Sequence, residues 1–309
     1  MSKRLWILPV LAAVLIAAGS GAGYASMPSL LGGTGIVSLP NAEIAPMGQL
    51  QTAVVYQRLE AIGIDMYNEE FTNETASLWG IQALAGVANG AELWAAYSKD
   101  NSDADMKTWS LGGKFQIPTG DKSVNLAVGA NYRQGKGEFP TFLSVDEFDP
   151  LLVFSDQFDI KGTNWDAYLV ATADLTALTK STCTSGRFLG SLGVIYKNFK
   201  VDLTDNWADI YDGAVVDTGS DGFNVVDENL TKPFLAVEFL GQDRTSLGLE
   251  YRWKDSELDA KAVFSAVLRH DFEQGITASV GVTNADQFGL GMDDQNWFAM
   301  IGYNFGFGK

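Results

Sequence analysis

The sequence predicts an all-β protein: a single transmembrane antiparallel β-barrel of about 12 strands, with short turns at one end and long acidic connections at the other. Three observations carry this. Apolar and polar residues alternate along most of the chain, as they do when one strand face meets lipid and the other a wet lumen. Short and long connections also alternate. Finally, the chain is 46 % hydrophobic, yet beyond its first residues no run of 18 apolar residues occurs, so no transmembrane helix is predicted. A mean hydropathy of +0.02 is the average expected of lipid faces, lumen faces and wet loops together.

The chain opens like an export signal. Lys3 and Arg4 precede an apolar run from Ile7 to Ala18, and Gly23-Tyr24-Ala25 offers a small-x-small cleavage site before Ser26. Residues 1–25 are therefore read as a signal peptide, 26–47 as an N-terminal Gly/Pro segment and 48–309 as the barrel. No lipobox cysteine lies near the cleavage site. Cys183 is the single cysteine, so no intramolecular disulfide supports the fold.

The strands follow in order. Residues 49–58 alternate first. Residues 79–87 alternate next and reach Asn89-Gly90, a strong hairpin signal. The return strand sets Leu93, Ala95 and Tyr97 against Glu92, Trp94, Ala96 and Ser98. Residues 109–117 and 124–133 are the cleanest alternations, joined by a turn at 119–122. Further strands centre on 165–175, 187–198, 232–240, 246–253, 261–270, 276–284 and 296–307. Long connections are expected at 59–74, 134–163, 199–230 and 285–295, and two charged ones of middling length at 99–106 and 254–260. With the N-terminus in the periplasm, all six fall on the outer side. They hold roughly 28 of the 38 acidic residues, in a chain of net charge −17. Such a vestibule concentrates cations and repels anions. Trp79, Trp94, Tyr97, Trp109, Tyr132, Trp165, Tyr196, Tyr251, Trp253 and Trp297 cluster near strand ends, as interfacial girdles require.

Two segments carry resemblances. Gly302-Tyr303-Asn304-Phe305-Gly306-Phe307 resembles the C-terminal assembly signal of outer-membrane barrels, with Gly308 and Lys309 following the usual terminal aromatic. That implies recognition by the barrel-assembly machinery. Gly32-Gly33-Thr34-Gly35-Ile36-Val37-Ser38-Leu39-Pro40-Asn41-Ala42, with Pro46 and Gly48, resembles the opening of YjbH-type outer-membrane proteins. The likeness covers about 20 residues and implies a role associated with exopolysaccharide. No Gly-Lys-Ser/Thr follows these glycines, so they do not form a nucleotide loop. The segment reads either as an extended lead into the first strand or as a short plug folded into the lumen.

The alternation assigns to the lumen Glu92, Lys114, Arg133, Asp166, Asp174, Lys197, Glu238, Glu250, Arg252, Lys261 and Arg269. Charges of both signs there must pair or stay hydrated. They suit either a lumen closed by ion pairs or a narrow aqueous pore. The one histidine, His270, ends a strand beside Asp271, and no nucleophile is placed beside it in sequence; no enzyme is predicted. Asp217-Thr218-Gly219-Ser220-Asp221-Gly222, followed by Glu228, has the spacing of a calcium loop, with Asp217, Asp221 and Glu228 as ligands; Gly219 departs from the pattern. Calcium is the one cofactor so suggested. The expected function is a passive channel for small solutes with weak cation preference. The alternative is a non-enzymatic envelope component or accessory of exopolysaccharide export. A surface adhesin, binding through the long loops, is a third class. Expected partners are outer-membrane lipid and lipopolysaccharide, and a small-solute or polysaccharide ligand, with no nucleic acid.

Overall fold

The computed structural model describes residues 28–306, apart from 31–32, 66–69, 103–104, 122, 139–141, 146–151, 180–185, 212–213, 255–260 and 286–290. The expected signal peptide, Cys183 and residues 307–309 lie outside the described residues.

Thirteen strands follow one another: β1 (Gln49–Asp65), β2 (Glu70–Ala88), β3 (Ala91–Lys99), β4 (Lys107–Ile117), β5 (Val124–Glu138), β6 (Phe142–Val145), β7 (Leu152–Asp174), β8 (Gly186–Tyr211), β9 (Ala214–Gly241), β10 (Thr245–Arg252), β11 (Val263–Asp271), β12 (Ile276–Ala285) and β13 (Gly291–Gly306). All pairings are antiparallel: each strand pairs with the next in the chain except β5 with β6, β1 pairs with β13, and β5 pairs with β7. These last two ladders close the barrel. β6 pairs only with the outer end of β7, so the closed barrel has 12 strands, as the alternation predicts. The Asn89-Gly90 turn forms as expected, with Gly90 at φ +79°, a conformation that glycine adopts without a Cβ clash.

The outward face is apolar. Leu192 and Ile301 are 63 % and 60 % exposed, and Ile81, Leu93, Leu111, Leu169 and Val280 join them in a belt. In water such a surface would cost about 25 cal/mol per Å², so the belt fixes lipid as its surroundings. Aromatic pairs bound it. Tyr56–Trp79, Trp109–Tyr132, Trp165–Tyr196 and Tyr251–Trp253 have centroids 4.6–5.2 Å apart and mark the hairpin side. Phe188–Phe239 and His270–Phe272 mark the short-turn side. Along β7 and its end, the ten steps from Trp165 to Leu175 rise about 25 Å once strand tilt is included, the height of an outer-membrane apolar band. Trp94 is a correction to the expected girdle. It points inward, 5 % exposed, and donates from its indole N–H to Asn131 at 3.1 Å.

The outer connections differ from expectation. Much of 59–74, 134–163 and 199–230 continues the strands instead of forming irregular loops. β8 and β9 run 26 and 28 residues and pair from Gly186↔Gly241 to Tyr211↔Ala214. The reason is an apolar inner face that continues above the belt. Phe199, Leu203 and Ile160 bury themselves with Met106 from the β3–β4 connection, and Phe158 and Val201 pack against them. Asp100 holds Met106 over this cluster by accepting its N–H, and also accepts the Ser102 hydroxyl.

Candidate functional site: a plugged lumen

The lumen is where this chain concentrates its buried polar groups. Alternation places Glu92, Lys114, Arg133, Asp166, Lys197, Glu238, Glu250, Arg252 and Arg269 on the inner wall, and all nine are buried. Ion pairs link neighbouring strands in two cases and reach across β10 from β11 to β9 in a third. Lys114–Glu92 and Lys197–Asp166 are each 3.3 Å apart, and Arg269–Glu238 is 3.6 Å apart. Asn164 adds an amide N–H to Asp166 at 2.9 Å. Two expected lumen residues are elsewhere. Asp174 sits at the short-turn rim, where it caps the single helical turn α1 (Leu175–Leu178) and pairs with Arg187 at 2.9 Å. Lys261 is exposed before β11 begins: it has the inward parity, but the wall ends below it.

The calcium reading is also corrected. Asp217, Asp221 and Glu228 lie along β9, opposite Asp209, Asp205 and Phe199. Eleven residues of strand span about 36 Å, so these three carboxylates cannot converge on one ion. Among the described residues no group of three or more His, Cys, Asp or Glu is placed to hold a metal.

The segment before β1 folds into the short-turn half of the lumen. It makes a tight bend, with Gly35 bridged to Pro40 and the Ile36 N–H bonded to the Leu39 carbonyl. Ile36, Val37 and Leu39 are at most 2 % exposed. Leu39, Ala42 and Ala45 pack against Leu84, Trp94, Tyr168 and Phe234, while Ile36 and Val37 pack against Val267 and Phe298. Burial of that kind stabilises by about 1.5–3 kcal/mol per large side chain.

Two wall carboxylates hold this plug. Glu250 receives the N–H groups of Val37 (2.5 Å), Ser38 (2.9 Å) and Leu39 (3.0 Å), and the Ser38 hydroxyl (2.9 Å). Glu92 receives the N–H groups of Thr34 and Ala45, both at 2.8 Å. The plug's carbonyls are bound as well. Lys114 donates to Thr34 (3.0 Å) and Asn41 (2.9 Å), and also reaches the Thr34 hydroxyl. Arg269 donates to Ile36 at 3.0 Å and Gln116 to Ala42 at 3.2 Å. Thr172 accepts the Ala42 N–H at 2.8 Å, and Asn125 reaches Glu43 at 3.2 Å. Gly86 permits the exit of the plug toward β1, since a Cβ there would sit on the carbonyl oxygens of Pro46 and Ala45. Two cavities beside the plug are small. A cavity of about 40 Å³ lies between Leu30, Gln57, Gln82 and Arg133, and one of about 90 Å³ between Asn41, Glu43, Glu238 and Arg269. The former could hold one or two waters.

The wall charges were legible in sequence; the plug's contacts were not. Glu92 and Glu250 stood among the lumen candidates without a ligand, because their partners are main-chain N–H groups 47–213 residues away. Thr245 was also missed. Strand register sets it opposite His270, with Oγ1 2.9 Å from Nδ1 and 3.0 Å from Asp243. Here the acid orients the hydroxyl and not the imidazole, so the trio lacks the nucleophile–base–acid order of a catalytic triad. Thr245's N–H and hydroxyl hold the Asp243 carboxyl below the usual carboxylate range.

No protein-family model matches the chain, and no curated protein matches it. Among solved structures, it is similar to the translocator domain of autotransporter NalP from Neisseria meningitidis, with TM-score 0.51 and 12 % identity over 84 % of this chain and 88 % of that one. That likeness is one of fold. Lower similarities are to the KdgM porin (TM-score 0.43, 9 % identity, 82 % and 98 % covered) and the Pseudomonas putida toluene transporter TodX (0.43, 10 %, 94 % and 97 %).

Proposed function

We propose that this chain is a non-enzymatic outer-membrane channel held closed by its own N-terminal segment. The observation that carries the reading is the pair of buried carboxylates, Glu92 and Glu250, spent on plug N–H groups. An apolar belt of outer-membrane height and an export-type leader support the location. The lipid belt and the acidic hairpins face outer-membrane lipid and lipopolysaccharide. Small solutes pass when the plug shifts, with a weak cation preference imposed by the acidic hairpins. Planar-bilayer recording under a salt gradient tests this. The full chain should be mostly silent, and Glu250→Gln should give stable steps with a cation-selective reversal potential. A wild-type barrel that conducts continuously, or a Glu250→Gln barrel as silent as wild type, would overturn it.

A second reading is favoured by the filled lumen. The segment resembling YjbH-type proteins is the plug itself, which suits an accessory of exopolysaccharide export whose partner moves the plug. Co-purification of an obligatory partner, with persistent silence of the isolated barrel, would select this reading.

A further inference from the structure

We infer that the plug site is a main-chain-reading cradle, able to take a small-residue segment of another polypeptide in place of the resident plug; this rests on the reading that the plug is removable. Six plug N–H groups, those of Thr34, Val37, Ser38, Leu39, Ala42 and Ala45, donate to wall side chains. Four plug carbonyls accept from Lys114, Arg269 and Gln116. Side chains of the plug add polar contacts with the wall at Ser38 to Glu250, Thr34 to Glu92 and Lys114, and Glu43 to Asn125.

A site that reads N–H and C=O groups selects backbone shape, because every non-proline residue supplies the same groups. Three successive N–H groups on one carboxylate form an anion-binding concavity used in reverse: the anion belongs to the wall and the concavity to the ligand. Residue size supplies the remaining selectivity. Ala42 and Ala45 are 0 % and 1 % exposed, so their positions admit only small side chains. The ligand is therefore a segment with small residues where Ala42 and Ala45 sit and a tight bend at its tip. It enters from the short-turn end, where the plug joins β1.

The tethered plug competes at an effective concentration of about millimolar, so its grip must be weakened to reveal the site. Val37→Pro with Leu39→Pro in the full chain removes two of the N–H donors to Glu250 while leaving the wall intact. The probe is a fluorescent synthetic peptide of residues 33–46. It should bind this variant at least tenfold more tightly than the parent chain. The same peptide N-methylated at Val37, Ser38 and Leu39 should bind about 100-fold more weakly or worse, as loss of two or three charge-assisted bonds implies. The Ser38→Ala peptide should stay within about tenfold. Adding Glu250→Gln to the barrel should abolish binding. Ser38→Pro provides a second full-chain variant should the double one fail to fold, and heat-modifiable gel migration reports folding for each. Absence of peptide binding to either folded variant, or equal binding of the N-methylated peptide, would overturn the cradle. Conductance is read separately: peptide binding without any conductance change would sink the gated-channel reading and leave the cradle standing.

Discussion

Glu92 and Glu250 both bury a carboxylate against the plug, but they are unlike in what else they touch. Glu92 shares its plug contacts with Lys114, which is 3.3 Å away and itself bonded to two plug carbonyls. Glu250 faces N–H groups and one hydroxyl, and among the described residues no ion pair reaches it. One site is a three-body knot of acid, base and backbone; the other is a carboxylate whose stabilising partners all belong to the plug. Loss of the plug therefore leaves Glu92 with a partner on the wall and Glu250 with none of its present bonds. The Glu250 contact is the natural release point, and the Glu92 contact the anchor.

Mutations can break that contrast. The largest effect is expected for Glu92→Gln, which leaves Lys114 buried without its counter-charge at a cost of about 3–5 kcal/mol. The temperature at which the heat-modifiable gel form is lost should fall markedly. Glu92→Gln with Lys114→Met should recover much of that loss, since no lone charge remains. Glu250→Gln comes next. It strands no cation, and each weakened charge-assisted bond is worth about 1.5–3 kcal/mol. Its signature is more frequent channel opening with a smaller change in melting. Equal melting losses for the two single variants would remove the distinction between anchor and release point. A milder effect is expected of Gly86→Ala, where overpacking against Ala45 and Pro46 costs about 1–3 kcal/mol and should raise the open fraction. Smallest at the gate is Leu203→Ala, far out on the hairpin. It should speed proteolysis between β8 and β9 and leave conductance unchanged.

The barrel was readable because its signal is local. Period-two alternation from Trp109 to Ile117 decides which side of the wall each residue faces, and Lys114 lies inward as that pattern requires. Strand number followed from the same rule, and so did nine of the eleven lumen candidates. The failures have physical causes. Asp174 and Lys261 have the correct parity but lie past the ends of the wall, and parity does not say where a wall stops. Charge suggested a loop at residues 199–230. Buried Phe199 and Leu203 decided for strand, because the ladder and the packing of these side chains outweigh the acids carried along it. The calcium spacing failed for the same reason: an extended strand keeps its acids apart. The plug was the least legible element. Its residues bond through backbone groups that every sequence carries, so side-chain identity offers little trace of them.

Those plug contacts also bear on how the two ends of the chain are held together. Glu92 and Lys114 belong to strands early in the chain, while Glu250 and Arg269 belong to strands near its end. The seam between β1 and β13 is the ladder that joins these early and late parts. A segment that grips both sides from within ties early strands to late ones across that seam. The residues that shut the barrel also help to hold its two ends together.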